Sequence, residues 1–250
     1  LMPTQAADRG LPPTYSQGIT RETKLRMERT IAAAWIERAV ATIPKPLIKV
    51  AEKPLLQHHI ENLASIGINE IVINTCWLGD QIESYFGDGK FFGVNIKWSR
   101  ESELLDTGGG IRKALPLLGS EPFLLINSDI WSNFPLDMLL NKKLHPKIRA
   151  HLVLIPNPNH NFKGDFTIDT QNIVGLRVPQ RDTYTFSGIS ILDPKIFCSH
   201  NESIKKFPLR DILAEEIAHH GVTGSIWLES WWDIGTPERL DALNKFLTKE

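Results

Sequence analysis

Apolar positions along this chain fall into two spacings that alternate from Lys49 onward. Residues 54–66 (PLLQHHIENLASI) place apolar side chains three and four apart, with Pro54 in the first turn and Gly67 as a stop, and so predict a helix. Residues 69–74 (NEIVIN) are a short β-branched run that predicts a strand; residues 78–86 predict a second helix and residues 94–98 (VNIKW) a second strand. Residues 108–118 open on three glycines and continue as a helix up to Pro116. Residues 122–127 (PFLLIN) are almost fully apolar, as expected of a strand covered on both faces of a parallel sheet. Further strands are predicted over 151–155, 165–168, 173–178 and 185–192, with a hairpin about 169–172. A helix over 207–219, a last strand over 224–232 and a helix over 237–247 complete the pattern.

The order is a βαβ rhythm followed by strands of mixed direction, which predicts a three-layer α/β fold. No internal repeat and no Gly- or Ser-rich linker divides it, so residues 27–250 are expected to form a single domain. Residues 1–26 mix Pro, Gly, Thr and charge without an apolar period and are expected to be a disordered or non-native N-terminal extension.

Composition narrows the function. Hydrophobic residues make up 42% of the chain and charged residues 23%, values that argue against general disorder. With 28 Lys and Arg against 29 Asp and Glu, the net charge of -1 supplies no basic field for a nucleic acid backbone, so no nucleic acid partner is expected. Cys76 and Cys198 have no partners at zinc-ligand spacing and suggest no disulfide framework; both are expected as small core residues. No apolar run approaches the roughly 18 residues needed to span a bilayer. No membrane partner is expected, and the cytoplasm is inferred by elimination.

The chemistry should gather where strands end, because doubly wound sheets bind ligands beyond the carboxyl ends of their strands. Asp129 (PFLLINSD) and Asp233 (GSIWLESWWD) each follow an apolar strand directly, and would share one sheet edge if those strands run alike. Magnesium takes one or two carboxylates together with substrate phosphates, which two strand-end aspartates supply. Each aspartate taken alone serves equally well as a helix cap. Lys45 stands between Pro44 and Pro46, so a stiff backbone aims one ammonium, suited to a phosphate. Thr107, Gly108, Gly109 and Gly110 lead into a helix, where bare backbone amides can approach an anion or a base edge. Gly164-Asp165-Phe166 and Phe186-Ser187-Gly188 are short glycine segments that, each alone, read more readily as turns than as a site.

Taken together and in this order, PKPLIKVAEKPLLQHHIENL, EIVINTCWLGDQIE, DTGGGIRKALPLLG, PFLLINSDIW, HLVLIPNP, KGDF, TFSGISIL and WWDIGTPERL resemble the sugar-1-phosphate nucleotidyltransferase family over about residues 43 to 246. Within it the likeness is greatest to the branch that uridylylates N-acetylmuramate 1-phosphate in peptidoglycan recycling, whose relatives are often labelled mannose-1-phosphate guanylyltransferases. The resemblance implies a GT-A-like Rossmannoid fold with a mostly parallel mixed sheet. It implies an enzyme that joins a nucleoside triphosphate, UTP, to a sugar 1-phosphate and releases pyrophosphate, with Mg²⁺ as cofactor. By matching position, Asp129 and Asp233 look like the magnesium carboxylates and Lys45 like the phosphate-binding lysine. Ala32, Ala33, Asn74, Thr107 and Gly108, Gly109 and Gly110 fall where relatives hold the nucleotide. Asn157, Gly164, Asp165, Ser187 and Gly188 fall where they hold the sugar. Ser128 and Asp106 stand where the family usually has Gly and Glu.

One departure is larger. The family has Ala-Ala-Gly-x-Gly-x-Arg after its first strand, then a basic segment before Pro-Lys-Pro; here the stretch reads IAAAWIERAVATIPKP. Ala32 and Ala33 fit, but Ala34 and Ile36 take the glycine positions, Trp35 lies between them, and about four residues are missing before Pro44. Cβ atoms there hinder backbone approach to a triphosphate, and the arginine charge is lost. Sliding the reading frame by one base at Trp35-Ile36 forces a glycine codon, and the same slide over residues 39–42 permits Arg-Leu-Arg-Pro, so a local frameshift accounts for the segment. As written, the chain reads as an impaired enzyme or a sugar-nucleotide-binding pseudoenzyme. A dinucleotide-dependent oxidoreductase is disfavoured because no Gly-x-Gly-x-x-Gly follows the first strand.

Overall fold

The computed structural model describes residues 29–33, 43–198 and 200–248 of the chain. Its strands begin with β1 (Arg29–Ala33), a two-residue pair β2 (Lys49–Val50) and β3 (Lys53–Pro54), β4 (Glu70–Thr75), β5 (Asn95–Arg100), β6 (Phe123–Asn127) and β7 (Ile130–Ser132). They continue with β8 (Ala150–Ile155), β9 (Phe166–Ile168), β10 (Val174–Leu176), β11 (Thr185–Leu192), β12 (Val222–Ile226) and β13 (Trp231–Asp233). The helices are α1 (Leu55–Ser65), α2 (Gly79–Phe86), α3 (Asp106–Leu118), α4 (Asp137–Leu140), α5 (Leu209–Ala218) and α6 (Pro237–Leu247).

Seven strands form one sheet in the order β12-β8-β11-β6-β1-β4-β5. All run parallel except β11, which is antiparallel to both β6 and β8. Helices cover both faces, giving the three-layer, mostly parallel mixed sheet that the sequence predicts. The apolar run of β6 is the clearest cause: its alternation sends Phe123 and Leu125 into one core and Leu124 and Ile126 into the other. The first core packs Ile111, Ala114 and Leu118 of α3 and Ile212, Leu213 and Ile217 of α5 against the sheet. The second packs Leu56, Ile60 and Leu63 of α1, one stripe at i, i+4, i+7, with Ile82 and Phe86 of α2. A small third core joins α6 through Leu243 to Val50, Leu55 and Ile234.

Several readings need correction. The single strand predicted over 224–232 is two: β12 closes the edge of the main sheet, while β13 pairs antiparallel with β7 in a separate ribbon. The Trp227 amide bonds to the Leu154 carbonyl at 2.8 Å, and the chain then leaves the edge through Leu228, which is 73% exposed. Helix α3 does not stop at Pro116 but runs to Leu118. Cys198 is exposed and Cys76 only partly buried, so neither is a core residue. The hairpin about 169–172 is present as β9 and β10. Among the described residues no helix is long and apolar enough to cross a membrane.

Candidate active site

Six parallel strands deliver their carboxyl ends to one rim, and the reversed β11 begins there, with Thr185 opposite Ile155. Strand β1 lies inside the sheet beside the central β6, and Ala33 pairs with Asn74 of β4 on one side and Asn127 of β6 on the other. The backbone of Ala32 and Ala33 therefore leads to this rim between β4 and β6. Ala34, Trp35, Ile36 and the rest of the departing segment to Thr42 lie outside the described residues.

Asp129 and Asp233 come together, but not as two ends of like-running strands. Two residues beyond β6, Asp129 precedes β7, and β7 pairs with β13 so that Asp233 faces Ile130. The Ile234 amide donates to the Asp129 carbonyl at 3.0 Å, placing the carboxylates on adjacent strands of a short ribbon. Burial raises the Asp129 carboxyl above its ordinary range; the negative charge of Asp233 adds to this, while Lys45 and Arg239 oppose it. Lys45 thus acts on Asp129 from the 3-10 turn Lys45–Leu47, whose Pro46 is buried. Asp129 has no side-chain partner among the described residues. Asp233 accepts the Gly235 amide at Oδ1 at 2.7 Å, with Arg239 Nη2 3.1 Å from the same oxygen; His160 Nε2 lies 2.7 Å from Oδ2, which accepts no hydrogen bond among the described residues. The His160 ring stacks on Trp231 with centroids 6.5 Å apart. Among the described residues no three His, Cys, Asp or Glu side chains cluster as a metal cage. Two hard carboxylates, one desolvated and unpaired, instead fit a magnesium ion that completes its shell with substrate phosphates and water.

Asn74 is buried at the end of β4, where its amide donates to Glu101 Oε1 at 3.2 Å and its Oδ1 has no partner among the described residues. Burial raises the Glu101 carboxyl, which also accepts the Leu105 amide at 3.1 Å. The glycine run beside it is not a loop. Gly108, Gly109 and Gly110 are the third to fifth residues of α3 and are buried. A Cβ on Gly108 would lie 2.4 Å from the Phe207 ring, and one on Gly109 would lie 2.2 Å from the Lys205 carbonyl oxygen. These two glycines admit the segment before α5; Thr107, ahead of them, reaches a cavity of about 220 Å³.

That cavity is also lined by Asn127, Asp165, Phe186, Leu209 and Arg210. The residues expected at the sugar form its wall and the frame behind it. Asp165 Oδ2 accepts the Phe186 amide at 2.9 Å and Oδ1 accepts Asn161 Nδ2 at 3.2 Å. Asn157 Oδ1 accepts the Thr185 hydroxyl at 3.0 Å, and its Nδ2 donates to the Thr183 hydroxyl at 2.9 Å. Gly164 has φ +63°, and a Cβ there would meet Asn157 Oδ1 at 2.6 Å, so only glycine suits the turn. Gly188, at φ +85°, lies against the Asn127 side chain where β11 is bulged. Ser187 uses its hydroxyl on the Ile189 amide and its carbonyl on Trp231 Nε1.

Sequence reasoning missed His160, Glu101, Arg210 and Arg239. Arg239 had a local signal, since it falls in the first turn of the helix that follows Asp233. His160 had none, because its contact with Asp233 spans more than seventy residues.

Comparison with known proteins shows the family of the chain. The family described as nucleotidyl transferase matches residues 40–250. N-acetylmuramate alpha-1-phosphate uridylyltransferase of Neisseria meningitidis serogroup B is 42% identical over 202 residues, covering 80% of this chain and 87% of that protein. A mannose-1-phosphate guanyltransferase of Gibberella zeae is 36% identical over 214 residues, 79% of this chain; the chain spans only 56% of that longer protein. The solved structure of HddC from Yersinia pseudotuberculosis, complexed with GMP-PN, superposes with a TM-score of 0.72 at 20% identity, over 88% of this chain and 100% of that one.

Proposed function

Because the chain belongs to the nucleotidyl transferase family, we propose that it joins UTP to N-acetylmuramate 1-phosphate with release of pyrophosphate, in cytoplasmic peptidoglycan recycling. The observation that carries the chemistry is the pairing of Asp129 and Asp233 at the strand-end rim, with Lys45 acting on Asp129. The choice of base and sugar rests on the likeness to the Neisseria protein. A phosphate oxygen of the sugar 1-phosphate attacks the α-phosphorus in line, and the bond from that phosphorus to the departing pyrophosphate breaks. Such a transfer needs positioning and charge neutralisation and no protein nucleophile. Asp129 and Asp233 hold Mg²⁺, which when bound neutralises phosphate charge. Lys45 holds phosphate oxygens, and His160 and Arg239 keep the Asp233 carboxylate oriented. Asn74 serves the nucleotide, while Gly108 and Gly109 act indirectly by admitting the segment before α5; Asn157, Gly164, Asp165, Ser187 and Gly188 shape the sugar side, on the cavity that Thr107 also lines.

A second reading is favoured by one feature of the sequence. Ala34, Trp35 and Ile36 stand where the family carries its glycines, so the chain as written binds its ligands with little turnover. Pyrophosphate release tests both, with UTP and GTP offered against N-acetylmuramate 1-phosphate, N-acetylglucosamine 1-phosphate and mannose 1-phosphate. Release with UTP and the muramate alone supports the first reading. Magnesium-dependent binding without release supports the second. Release with GTP and mannose 1-phosphate overturns the substrate assignment.

A further inference from the structure

The cavity beside Asn127 is built from two opposed halves. Asp165 stands on the β11 side, and both of its oxygens already accept hydrogen bonds, from the Phe186 amide and Asn161 Nδ2. The other wall is the start of α5, where Pro208, Leu209 and Arg210 all line the cavity. Pro208 stands at the N-terminus of this ten-residue helix without a side-chain hydrogen bond, and Asp211 in the first turn offsets the positive helix end. Arg210 is exposed and has no hydrogen bond or ion pair among the described residues. Its neighbour Arg112, by contrast, lies over the Phe207 ring and bonds to the Asn201 and Ile204 carbonyls. A free guanidinium on the cavity wall, with the apolar side chains of Leu209, Leu213 and Phe186 around it, suits a small anion that carries an apolar group.

The proposed substrate has such a group. N-acetylmuramate differs from N-acetylglucosamine by a lactyl ether, a carboxylate with a methyl beside it. Resting on the substrate reading above, we infer that Arg210 recognises the lactyl carboxylate and is the residue that selects an acidic sugar 1-phosphate over its neutral counterpart. The sugar's own phosphate belongs elsewhere, because its oxygen must reach the α-phosphorus at Asp129, Asp233 and Lys45.

The test compares Arg210→Gln and Arg210→Lys with the parent by calorimetry, in magnesium and saturating UTP analogue, using N-acetylmuramate 1-phosphate and N-acetylglucosamine 1-phosphate. These ligands share the phosphate and differ in the lactyl group. In the parent the muramate binds more tightly. In Arg210→Gln the ratio of the two affinities falls by roughly ten- to a hundredfold, as expected for a charge-assisted hydrogen bond, and Arg210→Lys recovers part of it. A parent with no preference overturns the substrate reading, and this inference with it. A parent that prefers the muramate beside an Arg210→Gln variant that keeps the same ratio overturns this inference alone. Equal losses for both ligands also overturn it, because Arg210 would then serve the shared phosphate.

Discussion

The carbonyl of Asp129 accepts the Ile234 amide at 3.0 Å, and that backbone bond brings the Asp233 side chain beside Asp129. The two carboxylates differ in what they already hold. Asp233 has Arg239, the His160 ring and an amide beside it, while Asp129 has no side-chain partner among the described residues and is raised by burial.

Asp129→Asn is therefore expected to raise the melting temperature in the absence of magnesium, because it removes a desolvated charge beside another of the same sign. In the parent, magnesium with UTP raises the melting temperature; in the variant this response disappears and magnesium-dependent UTP binding falls at least tenfold. A variant that responds to magnesium as the parent does removes Asp129 from the metal site.

Two buried histidines set a pH dependence of stability. His151 is lowered to about 3, chiefly by burial, and bonds to the Thr223 and Ser225 hydroxyls. His59 is lowered to about 4 by burial. Below the ordinary value of 6.5 the unfolded chain takes up protons that these folded rings refuse, so stability falls as pH drops from about 6.5 towards 4. Each ring contributes at most about 1.4 kcal/mol per pH unit in that window. Urea titrations at pH 7, 6 and 5 measure the slope, and an unchanged slope in a His151→Gln variant that stays folded would count against the assignment.

Gly109→Ala sets two effects against each other. Alanine is the better helix former by about 1 kcal/mol. Its Cβ, however, would lie 2.2 Å from the Lys205 carbonyl oxygen, a backbone atom with no rotamer to yield. Overpacking of this kind costs about 1 to 3 kcal/mol, so a net loss of stability is expected in chemical denaturation. A gain in stability would show that the approach of Lys205 to α3 is looser than described.

Restoring Gly-x-Gly-x-Arg-x-Arg-Pro-Leu-Thr in place of the segment that begins at Ala34 is expected to raise turnover by about 10² or more, since one preorganised donor is worth 10² to 10³. Affinity for UTP should change less, because Lys45, Asp129 and Asp233 are retained. Steady-state kinetics of the two chains side by side decide this; equal turnover numbers would mean that residues 34–36 do not contact the triphosphate.

The elements whose causes are local were legible in the sequence. Strand β11 over Thr185–Leu192 and helix α6 over Pro237–Leu247 fall where the pattern puts them, because an apolar run and a Thr-Pro helix start are properties of a few adjacent residues. The split between β12 and β13 was hidden, since GSIWLESWW reads as one run. What divides it is the choice of partners, Leu154 on one side and the three residues of β7 on the other. In sequence the glycines at 108 and 109 read as bare backbone amides at a helix start, open to an anion or a base edge. Their cause is the approach of Phe207 and Lys205 from a hundred residues away. Separation along the chain likewise concealed His160, whose contact with Asp233 spans more than seventy residues, while the aspartates and Lys45 stand out in the sequence by apparent strand ends and flanking prolines.

The reversal of β11 makes part of this protein exchangeable. Strand β8 leaves the rim at Ile155 and β11 re-enters opposite it at Thr185, so residues 156–184 depart and return at one point, reaching out on the way to β12, whose Gly224 amide donates to the Asn172 carbonyl at 2.9 Å. That stretch holds Asn157, Gly164 and Asp165, yet its removal would leave every strand of the main sheet with its neighbours. It behaves as a cassette plugged into a fixed socket: transplanted between relatives, it would carry the residues proposed for the sugar side while leaving Arg210, on the α5 wall of the cavity, with the host.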